Sequence, residues 1–172
     1  DMIHSGVNAY LTLHLAQVLL RAGDFRFGDL MQATADLASP TAQWPEAIHP
    51  RTHGGCMGDG QHVWASAEWV MMLRNCFVYE EENAERLVVG AGVLPNWISP
   101  GQSIRFGPTP TKWGPVRVSC EQTDETYRIR WEGDWFGTAP AVEVHTPADA
   151  PDLVTDGRTQ VDRKIKDIPA AH

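Results

Sequence analysis

Apolar side chains recur every three or four residues in the first part of the chain. They form one continuous face over residues 5–22 and a second over residues 24–38. This spacing predicts two α-helices. Gly23 suits the left-handed residue that ends a helix and Pro40 stops the second helix, so we expect a tight helical hairpin. The first predicted core face consists of Val7, Leu11, Leu15, Val18, Leu19 and Ala22.

A third helical pattern runs from about residue 60 to residue 77. Its apolar side chains, including Trp64 and Trp69, fall on nearly every side, which predicts a helix that is buried almost all round. Such a helix needs neighbours on several faces, more than one hairpin supplies. We therefore expect further helices upstream of Asp1 in a longer protein.

Beyond an acidic turn at residues 80–83 the pattern changes from helical to alternating. Short runs at 86–89, 103–106, 116–121, 126–131 and 141–145 predict strands of an antiparallel sheet with one face in water. The last residues are polar with few large apolar side chains. We predict three parts: a helical part at 1–79 with a site loop at 41–62, an antiparallel β-domain at 80–147, and a loose polar tail at 148–172.

Charge and composition exclude several classes of function. The 172 residues carry a formal charge of −8, which argues against nucleic acid or an anionic membrane as the partner. No apolar run approaches the roughly 20 residues that cross a bilayer, and no signal peptide is evident. Three cysteines in unrelated contexts argue against a disulfide framework and favour a reducing compartment such as the cytoplasm.

The loop at 41–62 holds the densest set of candidate functional groups. It contains Trp44, Glu46, His49, Arg51, His53, Cys56, Asp59, Gln61 and His62 among several turn glycines. Ordering so polar a loop costs conformational entropy, and loops held on a rigid scaffold are where binding and catalytic groups usually lie. We therefore place the functional site here.

The order of these segments resembles the C-terminal end of the six-hairpin glycosidases. Trp44-Pro45-Glu46 is similar to the loop that carries the general base in α-L-rhamnosidase-like members, and Gln61-His62 to the pair at the head of their last helix. The runs at 46–51 and 54–62 look more like amylo-α-1,6-glucosidase-like members. The run at 112–118 resembles the strand that follows the toroid in these families.

This resemblance implies an α+β fold class: the closing helices of an (α/α)6 toroid followed by a small antiparallel β-sandwich. It implies an inverting glycoside hydrolase that acts on α-linked sugars, with an upstream helical domain of the same protein as partner. Glu46 would be the general base. The carbohydrate substrate would be held by Trp44, His49, Arg51, Asp59, Gln61 and His62. Because such hydrolysis generally needs two carboxylates, we expect the isolated chain to be inactive.

Other interpretations use the same residues. His49, His53, Cys56 and His62 are zinc-ligand types, but their spacing matches no standard zinc pattern, and we predict neither a metal nor a cofactor. Asp59 suits a helix cap, and Cys56 an inert thiol. Trp44 is the candidate for stacking on a sugar, whereas Trp64 and Trp69 are expected in the core.

The alternative function is a non-catalytic carbohydrate-binding or interaction domain. In it the β-part, with Trp97, Trp113, Trp131 and Trp135, would do the binding.

Overall fold

The chain divides into two compact units. The computed structural model describes residues 6–58, 60–146, 149–154 and 157–165. Unit 1 is Asp1–Leu73 and unit 2 is Arg74–His172, so the division falls inside a helix, a few residues before the predicted boundary at 79/80.

Unit 1 contains the first two predicted helices, most of the third and a small hairpin. The first and third helices begin three or four residues later than the apolar pattern suggested, because Val7 pairs with Ile48 and the backbone N–H of His62 bonds to the loop. The helices are α1 Ala9–Arg21, α2 Arg26–Asp36 and α3 Val63–Phe77, and the hairpin strands are β1 Ala47–Ile48 and β2 Gly55–Met57. None of these helices combines the length and the apolar character that crossing a membrane requires.

The fold is a mixed α+β one, and the predicted (α/α)6 toroid is wrong. The described residues form three α-helices and three β-sheets. Three helices are too few for the closing helices of a toroid. The physical reason lies in what the helices pack against. Their buried faces meet the loop around Trp44 and the β1–β2 hairpin rather than a ring of further hairpins.

The predicted core face of α1 is also wrong. Leu11, Leu15 and Val18 are 51%, 53% and 63% exposed, whereas Leu13 and Ala16 are fully buried. This helix has apolar side chains on both sides, so periodicity alone could not decide which side faces the core. The exposed side is an apolar stripe of the kind that other surfaces often cover.

Helix α3 is not buried all round, contrary to prediction. Val63 and Val70 are 78% and 61% exposed, and Trp64 is 49% exposed, although Met72 is fully buried. Only one side of the helix meets neighbours within unit 1. The branched side chains Val63 and Val70 are mostly in solvent, and Trp64 is half-exposed.

Trp44 lies at the centre of the core of unit 1. It packs with Tyr10 of α1, Ile48 of β1 and Ala65 of α3, and Trp69 lies alongside. Its indole Nε1–H donates a hydrogen bond of 2.8 Å to the carbonyl oxygen of Thr34 in α2. One side chain of the loop thus joins all three helices.

Unit 2 is a β-structure of two four-stranded sheets. One sheet has the strand order β3-β4-β8-β9 and the other β10-β7-β6-β5. All five strands predicted by alternation are present, with small differences at their ends. The strands are β3 Val78–Glu81, β4 Arg86–Val89, β5 Ser103–Thr109, β6 Val116–Gln122, β7 Thr126–Gly133, β8 Ala141–Thr146, β9 Asp149–Val154 and β10 Gln160–Lys164.

Two features of unit 2 differ from the predicted antiparallel domain with a loose tail. Strands β4 and β8 pair in parallel, with Leu87 opposite Val142. Strands β9 and β10 lie within the segment 148–172 and pair with β8 and β7. Both are edge strands of their sheets, where a polar composition is common.

Candidate functional site

The Trp44 side chain is placed in the core rather than in a binding cleft. It is 3% exposed, its nitrogen is bound to Thr34, and its ring lies 5.4 Å from the ring of Trp69. Its carbonyl oxygen accepts a hydrogen bond of 2.8 Å from the backbone N–H of His62. Trp44 therefore fixes both ends of the site loop, and its ring has no exposed face on which a sugar could stack.

Glu46 is half-buried beside the start of β1. Its carbonyl oxygen accepts a hydrogen bond of 2.8 Å from Asn8 Nδ2. Gly58, at a φ of +71°, lies so close that a Cβ there would be 2.8 Å from the Glu46 Cβ. Among the described residues none forms a hydrogen bond or an ion pair with the Glu46 carboxylate. The Glu46 side chain thus packs against the backbone of Gly58.

His49 organises the turn of the β1–β2 hairpin. Its ring Nδ1 accepts hydrogen bonds of 3.2 Å from the backbone N–H groups of Arg51 and Thr52. The backbone of His49 also bonds to Gly54 and His53. Arg51 and Gln61 are exposed, and the predicted substrate contact Asp59 lies outside the described residues. The His49 ring therefore stabilises the turn of its own hairpin.

The metal interpretation finds no cluster in the part of the chain that the structure describes. No group of three or more histidine, cysteine, aspartate or glutamate side chains is placed there so that it could hold an ion. Cys56 is half-buried, whereas Cys76 and Cys120 of unit 2 are buried, and burial raises the pKa of each of these two thiols to about 12.

A second constellation in unit 1 was not predicted, and we call it the Trp64 cluster: Tyr10, His14, Gln17, Trp64 and Glu68. Trp64 stacks on Tyr10 with ring centroids 4.5 Å apart and an angle of 29° between the planes. Its Nε1–H donates a hydrogen bond of 3.1 Å to Glu68 Oε1, one helical turn away. The indole is therefore fixed on one face and at one edge while it is 49% exposed.

Glu68 is the polar centre of this cluster. His14 Nε2 lies 2.8 Å from its Oε1, and Gln17 Nε2 donates a hydrogen bond of 2.8 Å to its Oε2. Burial raises the pKa of the Glu68 carboxyl, but the hydrogen bonds from His14 and Trp64 outweigh this and lower it below its ordinary value. The carboxylate is therefore ionised at neutral pH and ties α1 to α3.

Of the predicted site residues, His62 is the one that the structure places beside this cluster. Its ring centroid lies 5.1 Å from that of Tyr10 and 6.3 Å from that of Trp64. Its Nδ1 is buried and has no hydrogen-bond partner within the described ranges. Glu46 has different neighbours, in Gly58 and Asn8.

A signal for the cluster was present in the sequence. His14 and Gln17 interrupt an apolar helix at a spacing of three residues, and Trp64 and Glu68 are four residues apart. Both spacings put the two side chains on one helical face. The apolar pattern alone assigned Trp64 to the core.

The tryptophans of unit 2 occupy several environments. Trp131 is 2% exposed. Trp97 lies 6.3 Å from the ring of Phe77, and Lys112 Nζ lies 4.3 Å from the centroid of Trp113. Trp135 covers Gly133 so closely that a Cβ there would meet its ring. Packing accounts for most of this aromatic surface.

No family model, no curated protein and no solved structure matches this chain.

Proposed function

We propose that unit 1 binds a neutral carbohydrate on the exposed face of Trp64. The observation that supports this is a large aromatic ring that is rigidly held yet 49% exposed. An indole left in water costs hydrophobic free energy, which a ligand with an apolar face recovers. Because Tyr10 and Glu68 already fix the ring, little side-chain entropy is lost on binding.

The polar groups around Trp64 suit sugar hydroxyls. Glu68 accepts from three donors, and a carboxylate has about four acceptor positions, which leaves room for one hydroxyl. His14 faces Glu68 through Nε2, and its Nδ1 can accept from a hydroxyl when the ring is neutral. An apolar platform with such groups at its rim is typical of sites for small polar ligands.

The test is binding of neutral oligosaccharides to the purified chain. A glycan array identifies a ligand, and isothermal titration calorimetry then compares the wild type with Trp64→Ala. Loss of the platform should weaken binding about tenfold or more. The matched control is Val63→Ala, which removes a neighbouring side chain that is 78% exposed and should leave the affinity unchanged. Equal binding by Trp64→Ala, or no neutral ligand on the array, would refute the proposal.

A second candidate function is glycoside hydrolysis with Glu46 as general base. It is favoured by a half-buried carboxylate whose oxygens have no described partner, since a base must be free to hold a water. Hydrolysis generally uses two carboxylates, so we expect little turnover of aryl glycosides or α-glucans by this chain alone. In a longer form that is active, Glu46→Gln should lower turnover by roughly 10²- to 10⁴-fold. Near-normal turnover by that variant would exclude Glu46 as the base.

A further inference from the structure

Three arginines and a serine share one face of the sheet β10-β7-β6-β5 in unit 2. Arg105 on β5 lies opposite Ser119 on β6, and Ser119 lies opposite Arg130 on β7. Arg117 precedes Ser119 by two residues on the same strand, so its side chain is on the same face. All four side chains line one cleft of about 340 Å³.

Arg128 is a fourth arginine on this face, and the four differ in how their charge is compensated. Arg128, outside the cleft, is fully paired: its Nε donates to Asp162 Oδ1 at 2.7 Å and its Nη2 to Oδ2 at 3.2 Å. Arg130 donates instead to the neutral amide oxygen of Gln160 at 2.6 Å. Its nearest carboxylate oxygen, on Glu121, is 3.9 Å from Nη1, too far for a hydrogen bond.

The two remaining guanidinium groups have no direct partner among the described residues. Arg105 and Arg117 form no hydrogen bond or ion pair with any residue that the structure describes. Glu132, opposite Arg117 on β7, is the one carboxylate that lines the cleft. Counting Glu132 and Glu121, which lies 3.9 Å from Arg130, three guanidinium groups stand against two carboxylates, a net charge of +1 in a chain whose overall charge is −8. Local positive charge of this kind in an acidic protein indicates an anionic ligand.

We propose that this cleft binds an oxyanion, that is, a carboxylate, sulfate or phosphate group carried by a small ligand. Neighbouring strands are about 4.8 Å apart, so the backbones of Arg105 and Arg130 are separated by roughly 10 Å across Ser119. Long side chains can converge over the serine from both sides. The guanidinium fork matches the paired oxygens of these anions, and the Ser119 hydroxyl supplies a further donor. This site is independent of the Trp64 cluster.

The first test is a side-chain NMR titration of the full chain. The Nε–H signals of the arginines are followed while sodium sulfate, sodium phosphate or sodium galacturonate replaces sodium chloride at constant ionic strength. We expect saturable shifts for Arg105, Arg117 and Arg130 with at least one of the three anions. Arg128 should not shift, because Asp162 already occupies its donors. A response to galacturonate alone would support an acidic sugar, and a response to all three would support a general oxyanion site.

Variants then test the assignment. Arg117→Gln should weaken binding about ten- to a hundredfold, because it removes charge-assisted hydrogen bonds. Arg117→Lys, which keeps the charge but loses the fork, should fall between it and the wild type. The matched control Arg128→Gln should bind as the wild type does. Shifts that never saturate, shifts of equal size at Arg128, or unchanged affinity of a folded Arg117→Gln would overturn the proposal.

Discussion

The two sides of α1 can be compared with a matched pair of substitutions, Leu13→Ala and Leu15→Ala. Both remove the same atoms from one helix, but Leu13 is fully buried whereas Leu15 is 53% exposed. Truncation of a buried leucine costs the transfer free energy of the lost atoms plus that of a cavity, about 2–5 kcal/mol in all. At Leu15 half of the side chain is already in water, no closed cavity forms, and alanine is the better helix former. We expect a cost below about 1 kcal/mol there.

Native-state hydrogen exchange of the α1 amides measures this difference locally, which suits a chain of two units. Leu13→Ala should lower the opening free energy of α1 by about 3 kcal/mol, while Leu15→Ala should leave it nearly unchanged. Similar losses in both variants would refute the burial pattern. A larger loss at Leu15 would restore the core face that the apolar periodicity predicted.

Three further predictions follow from local contacts. The pKa of Glu68 is lower in the folded state than its ordinary value of 4.5, so the ionised carboxylate stabilises the fold above pH 4.5, and this stabilisation is lost as the pH falls through the folded-state pKa. Glu68→Gln should therefore flatten the acid side of a stability profile measured by urea unfolding. Gly92→Ala should lower the thermal midpoint sharply, because the new Cβ would lie 2.6 Å from the Cα of Cys76. The control Gly137→Ala, whose Cβ would meet no atom within 4 Å, should leave the midpoint nearly unchanged. A chromogenic disulfide reagent should react with Cys56 alone in the native protein, because burial raises the pKa of the other two thiols to about 12; fast reaction of a second thiol would contradict this.

Periodicity predicted the elements well and their surroundings poorly. The alternation of Val116, Val118 and Cys120 with polar residues corresponds to a strand with one buried face, as expected. Leu87, Val88 and Val89 are instead all buried, so both faces of β4 are covered; this strand lies between β3 and β8 and pairs in parallel with β8. A continuous apolar run is typical of such a strand, but it does not by itself reveal which strand will pair with it.

The site was harder to predict because it depends on which tryptophan is buried. Trp44 lies between a glutamine and a proline in a polar loop, whereas Trp64 lies between a valine and an alanine, so the local sequence favoured burial of Trp64. The hydrogen bond from Trp44 to the Thr34 carbonyl, made across 10 residues of chain, draws the loop tryptophan inward. Tyr10 then holds Trp64 at the surface. Both contacts are tertiary, and no local sequence window contains them.

The parallel pairing of β4 with β8 affects how unit 2 can fold. The whole meander β5-β6-β7 lies between Val89, where β4 ends, and Ala141, where β8 begins. Closing so long a loop costs entropy, and the cost is smaller when the intervening chain is already compact. The meander should therefore form before β8 docks. A nascent chain that stops short of β8 presents β4 with an unpaired edge, where another chain could add a strand.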